Sequence, residues 1–540
     1  MQLPAGNKNL PAALPRDHCL GNYVRFFVFL QKSHLLRQSR TKLFPTMKQI
    51  ILFFSLLLLA TGFMKAQPVK GFVYKDTMGI QVVKIWGTHQ ERGYALGYLT
   101  GAKITDMIVN YLKPQFGAYY NTAKSTLVQG ADIVIRQVFT EEAQGVIDGM
   151  DAAGTNTGNL DKYDILLGSS FLDIENIMSK MDGPGCSSLM SWNDATAGTG
   201  LNGKSVVSRH MDWNFSNILI KHNTMVVHFP SEPGESKWMM VGFSGMMGAL
   251  SGISPEFGTF QHVISDYSGS GMHNKQYTPI WFALRQALEA ADYNNDGERN
   301  VQDVRAVLDS CQNGFAAGFI VCSMAKSNPV DSLVALVAEL TPTTPTHSYR
   351  GNSYPDSIPG DNLYAANEQI VRNNAMNMSA RYNSIRTHIG DGTGISLSGN
   401  WELMRDYSHQ SNNMQFMEYA PEADFFQLAI YRDNKFPYLN TPTVFSLAEL
   451  FSDPTVSVRG HIAGTSLAVF PNPASRVVHF AGIATGCYSV DIYDLNGRQV
   501  MNLEQILPGN GIDVSSLSRG LYFFRIFDDT NVYAGRFSKN

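Results

Sequence analysis

The chain has 540 residues, 44% of them hydrophobic and 16% charged, and its formal net charge is −4. Nine of its basic residues, against one acidic residue, lie before position 67, so the remainder carries −12. A chain of this length has room for two or three domains with sizeable cores, and the acidic balance argues against a nucleic acid or an anionic membrane as a partner.

The first 66 residues divide into two segments. Residues 47–66 begin with Met47-Lys48, continue with the apolar run 50–63 and end at Ala66. This pattern predicts a signal peptide cleaved after Ala66, and it is too short to span a membrane comfortably. Residues 1–46 hold seven Lys or Arg and one acid. They are interpreted as an upstream extension from a wrongly chosen start codon, with a disordered basic arm as the alternative.

From residue 67 the apolar pattern predicts helices first and strands later. We expect a strand over Gln81–Trp86, a helix that starts at Gly93 and a helix over Gln129–Ala153. After residue 186 short β-branched and aromatic strands dominate, with helices at Trp281–Ala290 and Val301–Cys311. Residues 341–357 are predicted as a loop by their composition. Because strands and helices do not alternate regularly, the pattern favours an α+β fold.

The run GPGCSSLMSW contains the bond Gly185–Cys186, and SVVSRHMDWN, about twenty residues later, carries Arg209 and Asp212. A cut at that bond would leave Cys186 with a free α-amine, which titrates near pH ~8 and can take the proton of its own thiol. Arg209 and Asp212 are candidates for holding the amine and the thiolate. A buried structural cysteine and an ordinary ion pair are the alternative. His210 is expected to point to the opposite face of its strand, so it is not assigned as the base.

Several segments carry a family resemblance. KIWGTHQERGYALGYLTG (84–101), the helical run 141–174, Cys186 and the strand that ends Arg209 to Trp213 resemble the isopenicillin-N acyltransferase-like family of N-terminal-nucleophile (Ntn) hydrolases, related to choloylglycine hydrolase and acid ceramidase. The resemblance implies a four-layer αββα sandwich. In it, residues 67–185 form the pro-region or α chain, residues 186–455 form the β chain, and Cys186 is the nucleophile.

The same resemblance suggests two further site residues. Asn367, in DNLYAANEQIVRN after the strand that ends near Glu339, corresponds to an oxyanion donor, although Ala366 replaces the Thr that the family more often has. Arg381 lies near the place where the family tends to have an Arg that binds a carboxylate or braces the site. A helix cap or a turn residue is the alternative for Asn367.

The run DYNNDGERNVQD (292–303) has the spacing of an EF-hand loop, with Gly297 at position 6. The resulting prediction is a structural Ca²⁺; catalysis itself is expected to need no cofactor. The predicted ligands are Asp292, Asn294, Asp296, the backbone oxygen of Glu298, and Asp303. Asp303 replaces the usual Glu at position 12, as in a dockerin half-site. A polar, Asx-rich turn between two helices is the alternative.

Residues 467–540 alternate apolar and polar residues at period two between turn residues, which predicts a small antiparallel sandwich. FPNP (470–473), YDLNG (493–497) and 517–523 resemble the C-terminal sorting domain of the type IX secretion system of Bacteroidetes. The resemblance implies an immunoglobulin-like domain that engages the secretion machinery, export to the medium or the cell surface, and removal of the chain after about residue 465. An ordinary immunoglobulin-like module is the alternative.

Together these features predict a secreted, self-cutting cysteine hydrolase of acyl-amide or small-peptide bonds that works through an acyl-enzyme on Cys186. The alternatives are an acyltransferase of the same family, a phospholipase B-like lipid hydrolase and a non-catalytic surface-binding protein. Beyond the leader the chain has four cysteines. Of these, Cys311 and Cys322 form either a disulfide or two separate buried thiols.

Overall fold

The computed structural model describes residues 67–177, 185–263, 271–327, 333–351, 358–372, 379–454, 468–481, 488–495, 498–507, 509–527 and 532–540. The predicted upstream extension, the signal peptide, Cys487 and the expected trimming point near residue 465 lie outside these residues. What is described mixes helices with two large sheets and ends in an all-β region.

The larger sheet has nine strands in the order β1-β2-β5-β6-β7-β8-β9-β10-β11. All neighbouring pairs are antiparallel except β2 with β5, which are parallel. The strands are β1 Gly71–Thr77, β2 Ile80–Gly87, β5 Asn223–Pro230, β6 Trp238–Phe243, β7 Ser251–Ile253, β8 Phe257–Val263, β9 Phe319–Ala325, β10 Ala335–Leu340 and β11 His347–Gly351.

The second sheet has six strands in the order β12-β3-β4-β13-β14-β15, all antiparallel to their neighbours. Its two central strands, β4 and β13, are buried along their whole length. The strands are β3 Cys186–Ser191, β4 Val206–Asp212, β12 Asn362–Ala365, β13 Asn413–Ala420, β14 Phe425–Ile430 and β15 Thr443–Phe445.

Twelve α-helices are described. They are α1 His89–Met107, α2 Lys113–Phe116, α3 Tyr120–Gln129, α4 Gln137–Ala152, α5 Lys162–Gly168, α6 Phe171–Ile177, α7 Asn217–Lys221, α8 Ile280–Glu289, α9 Val301–Ser310, α10 Ala380–His388, α11 Leu397–Tyr407 and α12 Leu447–Leu450. A π-helical turn, Ile108–Leu112, continues α1, and short 3₁₀ turns occur at Gly117–Tyr119, Asn193–Ala195, Pro421–Ala423 and Pro437–Leu439.

Three apolar cores lie between these helices and sheets. The first joins α1, α3–α6, α8 and α9 to one face of the nine-stranded sheet, through side chains such as Val83 and Val321. The second lies between the two sheets and contains Val241 and Met417. The third joins the outer face of the six-stranded sheet to α10 and α11, through residues such as Phe416. Helices therefore cover both outer faces of a pair of packed sheets.

Helices α1 and α4 pack at very short range because glycines line their contact. A Cβ added at Gly97 would lie 1.9 Å from the carbonyl oxygen of Val146, and one at Gly149 would lie 2.1 Å from that of Tyr94. Real Cβ atoms do not approach backbone so closely, so a larger residue at either position would push the helices apart. The pairing fixes α1 and its π-helical turn against the nine-stranded sheet.

Three predicted boundaries are wrong. The helix expected to start at Gly93 begins at His89, after the N-cap Thr88. The helix expected over Gln129–Ala153 is divided, because Gly130 ends α3 in the left-handed conformation and α4 begins at Gln137. The loop expected at 341–357 contains β11, which pairs with β10 as an edge strand of the larger sheet. The thiols of Cys311 and Cys322 are free, so the described residues favour two separate thiols over a disulfide.

The C-terminal region has its own core, formed by residues such as Val478, Val490, Phe524 and Phe537. Two antiparallel sheets contribute to it, a three-stranded one in the order β16-β17-β20 and a four-stranded one in the order β19-β18-β21-β22. Their strands are β16 Ala468–Phe470, β17 Val477–Ala481, β18 Tyr488–Tyr493, β19 Gln499–Ile506, β20 Ile512–Asp513, β21 Gly520–Phe527 and β22 Val532–Lys539. The predicted all-β character of this region is confirmed.

A buried network of charges ties α1, α4 and α8 together. His89 Nδ1 lies 2.5 Å from Glu142, and its Nε2 lies 3.0 Å from Glu235. Arg285 donates to Glu142 at 3.0 Å and to Glu289 at 3.0 Å. Burial lowers the pKa of His89, but the hydrogen bonds to Glu142 and Glu235 outweigh it and raise that pKa to about 9. His89 therefore carries a positive charge in the folded protein at neutral pH.

This network predicts a pH-dependent stability. Between the unfolded pKa, about 6.5, and the folded pKa near 9, the folded state holds a proton that the unfolded state lacks, so the free energy of unfolding should fall as pH rises through this window. We expect a loss of about 2–3 kcal/mol by pH 9.5 and full stability below pH 6.5. Urea unfolding of wild type and His89→Gln at pH 6 and 9.5 checks this. If the free energy of unfolding falls by the same amount between pH 6 and 9.5 in both proteins, the prediction is contradicted.

Candidate active site

The bond Gly185–Cys186 lies at the start of β3, an inner strand of the six-stranded sheet. Cys186 is the first residue of β3, is 5% exposed and pairs with Met211 of β4. The antiparallel ladder continues one residue beyond β3, because the backbone N–H of Asp212 donates to the carbonyl oxygen of Gly185 at 3.0 Å. The carbonyl of the proposed scissile bond therefore already has a fixed hydrogen-bond donor.

Arg209 approaches the thiol from within the protein. Its Nη2 donates to Cys186 Sγ at 3.4 Å and to the carbonyl oxygen of Gln261 at 2.9 Å, and its Nη1 donates to Ser251 Oγ at 2.9 Å. Arg209 pairs with Ser188 in the ladder, so it projects from the same face of the sheet as Cys186. Burial raises the pKa of the Cys186 thiol, whereas the charge of Arg209 lowers it.

Asp212 stands on the opposite face of β4, because three residues separate it from Arg209. Its Oδ2 accepts from Arg381 at 3.1 Å and its Oδ1 from the Asn413 side-chain amide at 2.9 Å. Burial raises the pKa of Asp212 to about 6, although Arg381 and Asn413 favour the charged form. Arg209 and Asp212 therefore lie on opposite faces of β4. Arg209 contacts the Cys186 thiol, and Asp212 contacts Arg381 and Asn413.

Asn367 and Arg381 complete the ring of polar groups. Asn367 follows β12 in a short loop and is 5% exposed, and Arg381 lies in the first turn of α10. Arg381 Nη2 donates a hydrogen bond to Asn367 Oδ1, and Asn367 Nδ2 donates to the carbonyl oxygen of Val263. Among the described residues, Val263 is the acceptor for one of the two Nδ2 hydrogens, and the second is available to another acceptor. Arg381 thus links the Asp212 carboxylate to the Asn367 amide.

Gly185 fits against this amide without room for a side chain. A Cβ added at Gly185 would lie 1.9 Å from Asn367 Oδ1 and 2.7 Å from Nδ2. The five residues predicted from the sequence, Cys186, Arg209, Asp212, Asn367 and Arg381, are therefore brought together by direct contacts that also include Gly185. Three of them come from β3 and β4, and two come from the loop and helix that follow β12.

An apolar cavity opens at the Cys186 thiol. Its volume without the open mouth is about 80 Å³. The polar groups at its wall include Cys186, Asp212 and Gln261. Its apolar lining comes from chain segments on both sides of Gly185: Met107, Ile108, Leu112, Ile165, Phe171 and Leu172 before it, and Met211, Trp213, Leu219, Phe243, Met246, Leu250, Val263 and Trp281 after it.

His210 does not reach the thiol. Its Nε2 bonds the carbonyl oxygen of Met404 in α11 at 3.0 Å, and its ring stacks on Phe416 at 4.1 Å. Burial lowers its pKa to about 3. His210 is thus a neutral core residue on the helix-covered face of the sheet, as the strand alternation predicts.

The EF-hand-like loop joins α8 to α9 at the surface. The oxygens of Asp292 and Asn294 both accept the backbone N–H of Asp296, at 3.2 and 3.1 Å. Gly297 takes a φ of +87°, which the sixth position requires. Asp303 is engaged differently, since its oxygens accept from the backbone N–H groups of Tyr293 at 2.6 Å and Asn300 at 2.9 Å, so it caps α9.

Within the described part of the chain, a different set of residues brings three ligand atoms within 4.8 Å of one another: His89, Glu232 and Glu235. These side chains belong to the charge network of α1, where Arg92 Nη2 also bonds Glu235 at 3.3 Å and Glu289 at 2.8 Å. Arg92 and the protonated His89 both supply positive charge against these acids.

Sequence reasoning missed two site residues and the cavity. Asn413 holds the carboxylate of Asp212, and Glu368 accepts the backbone N–H of Asn367 at 3.1 Å. Asn413 lies 201 residues from Asp212, and no local pattern marks such a contact. Glu368 sits beside Asn367 in the sequence, so a buried acid in a polar loop was the available signal.

Comparison with known proteins identifies one end of the chain. Residues 468–540 match the family model of the secretion system C-terminal sorting domain. The predicted export is confirmed: the chain is secreted and attached to the cell surface through the type IX system. Among the described residues, no helix has the length and apolarity needed to cross a membrane.

The chain also has distant relatives in Dictyostelium discoideum. It is 25% identical to protein dcd1B over 239 residues, which is 42% of this chain and 46% of that protein. It is 23% identical to protein dcd1A over 257 residues, which is 41% of this chain and 53% of that protein. The chain thus spans about half the length of these curated relatives.

Proposed function

We propose that this protein is a secreted Ntn hydrolase that cuts its own chain before Cys186 and then cleaves an acyl amide through the same thiol. The observation that carries the proposal is the position of Cys186. Cys186 lines an apolar cavity, and its thiol lies 3.4 Å from the buried Arg209 guanidinium. The carbonyl of the preceding residue, Gly185, accepts a hydrogen bond from the Asp212 N–H.

In the first reaction Cys186 Sγ attacks the carbonyl carbon of Gly185, and the thiol proton moves to the Cys186 nitrogen as that nitrogen leaves. The Asp212 N–H holds the oxygen that becomes negative. The peptide C–N bond breaks, the Cys186 nitrogen takes a proton and becomes an amine, and Gly185 remains as a thioester. Water then hydrolyses the thioester to a Gly185 carboxylate and a free thiol.

In the second reaction the new amine takes the thiol proton, and Sγ attacks the carbonyl carbon of the substrate amide. Arg209 stabilises the thiolate, and the free hydrogen of Asn367 Nδ2 is available to the oxyanion. The amine returns the proton to the leaving nitrogen as the C–N bond breaks. Water hydrolyses the acyl-enzyme and restores the thiol.

The cavity favours an apolar acyl group. Its wall is built mostly from aliphatic and aromatic side chains, with few polar groups among them. An apolar acyl chain gains roughly 25 cal/mol for each Å² that it buries there, while a charged group would lose its hydration without a partner. The extracellular location supplies water as the acyl acceptor and thus favours hydrolysis over transfer.

Two finer fold assignments belong to this proposal. The packing order of helices, nine-stranded sheet, six-stranded sheet and helices supports a four-layer αββα sandwich of the Ntn type. The separate three- and four-stranded sheets of the C-terminal region support an immunoglobulin-like sandwich.

Replacing the nucleophile tests the proposal. Cys186→Ala should leave a chain uncut at this bond and without amidase activity, because no other atom supplies the attacking sulfur. Intact-mass measurement together with N-terminal sequencing of the downstream fragment checks the cut, and release of amine from an N-acyl amide with a long apolar acyl group checks turnover.

Cys311→Ala is the matched control, since its thiol is also free but hydrogen-bonds Val307 in α9. This variant should be cut and active like wild type. A wild-type downstream fragment that begins at any residue other than Cys186, or full activity in uncut protein, would overturn the proposal in favour of a surface-binding role.

Gly185→Ala should slow the cut by roughly 10–100-fold, because the new methyl group would overlap the Asn367 amide and shift either this amide or the backbone that carries the scissile carbonyl. The rate at which uncut chain disappears on a gel measures this effect. Gly198→Ala is the control, since nothing lies within 4 Å of its added Cβ. If Gly185→Ala matches wild type, Asn367 does not take part in the cut.

We also propose that the 292–303 loop binds a structural Ca²⁺. The donor set supports it, because Asp292, Asn294 and Asp296 supply carboxylate and amide oxygens that hydrogen bonds already draw together. The capping contacts of Asp303 imply that this residue contributes less than a Glu at position 12 does.

Calcium should raise the melting temperature by roughly 2–5 °C, since it binds the native state preferentially. Asp296→Ala should abolish this rise, while Asp433→Ala, an exposed acid elsewhere, should keep it. Differential scanning calorimetry with calcium and with chelator measures both. Identical melting curves of wild type in the two conditions would show that the loop is an ordinary turn.

A further inference from the structure

We propose that Glu368 is a positioning residue that sets the Asn367 amide against Arg381, and this inference rests on the proposed function. Its carboxylate bridges two backbone segments. Oε2 accepts the N–H of Asn367 at 3.1 Å, and Oε1 accepts the N–H of Ser379 at 2.7 Å. Glu368 is 3% exposed.

Ser379 is the N-cap of α10, with its Oγ accepting the N–H of Tyr382 at 3.2 Å. Arg381 lies two residues into the same helix, so the position of this helix start decides where the guanidinium lies. Arg381 in turn contacts both Asn367 and Asp212. One carboxylate therefore holds the amide loop and the arginine helix together, and the Arg381–Asn367 contact closes the ring.

Other anchors fix the same loop to the larger sheet. Gln369 Nε2 donates to the carbonyl of Leu340 at 2.8 Å, and Glu339 accepts the N–H groups of Val371 and Arg372 at 3.0 and 3.1 Å. These bonds hold the loop against β10 without contacting α10. Among the described contacts, Glu368 is thus the carboxylate that joins the loop to the start of α10, which separates its role from general loop stability.

Because Asn367 is assigned to the oxyanion, loss of its orientation should affect the transition state and leave substrate binding largely intact. Glu368→Gln is nearly isosteric, but an NH₂ donor replaces one of the two accepting oxygens, so either the Asn367 or the Ser379 N–H loses its acceptor. We expect it to lower kcat and the rate of self-cutting about tenfold with little change in KM. Glu368→Leu, which accepts neither N–H, should lower both further.

The readout that separates positioning from stability is a double-mutant comparison. In an Asn367→Ala background Glu368→Gln should have no further effect on kcat, because the residue it positions is gone. Asp424→Asn is the matched control, since Asp424 also accepts a backbone N–H, that of Ala448 at 2.6 Å, at the opposite end of β13 from Asn413. It should change the melting temperature without changing kcat.

If Glu368→Gln is cut and turns over like wild type while Cys186→Ala remains uncut and inactive, Glu368 does not position the site and the proposed function stands. If Glu368→Gln lowers the melting temperature but leaves kcat unchanged, Glu368 likewise does not position the site. An effect of Glu368→Gln that persists in full in the Asn367→Ala background also overturns the positioning role. If Cys186→Ala is still cut and active, both proposals fail.

Discussion

The antiparallel pairing of β3 with β4 is the constraint on which the site depends. With Cys186 opposite Met211, the next hydrogen bond of the ladder joins the Asp212 N–H to the Gly185 carbonyl. Shifting the register by one residue would turn Arg209 away from the thiol, because side chains alternate between faces. The same pairing sends Asp212 to the helix side, where Arg381 meets it. A single strand register thus sets the positions of Cys186, the Arg209 guanidinium beside it and the polar ring.

The cavity depends on the packing of the chain before Gly185. Its wall includes residues from the end of α1, its π-helical turn, α5 and the segment around α6, and the close α1–α4 contact holds these elements on the larger sheet. A cut at Gly185 would divide the wall between two chains without removing any of it. The buried charge network of His89, Glu142 and Arg285 then resists their separation, because parting them would leave unpaired charges.

The sequence predicts the local parts of this arrangement better than its long-range contacts. The strand that carries Arg209, the direction of His210 and the all-β C-terminal region follow from alternation and turn residues. The three wrong boundaries have local causes that composition does not rank: the Thr88 cap that starts α1 at His89, a left-handed Gly130 that ends α3, and an edge strand within a polar segment. Asn413, Glu368 and the cavity depend on contacts set by tertiary packing, for which periodicity carries no information.

Arg209 explains why this site differs from an ordinary core. It is fully buried, and its hydrogen-bond partners are a hydroxyl, a backbone carbonyl and the Cys186 thiol, all of them neutral. Burial lowers its pKa, which reflects the cost of keeping a charge from water. Ionising Cys186 would give that charge a partner at 3.4 Å, so the same burial that raises the pKa of the thiol also strengthens the attraction that stabilises its thiolate.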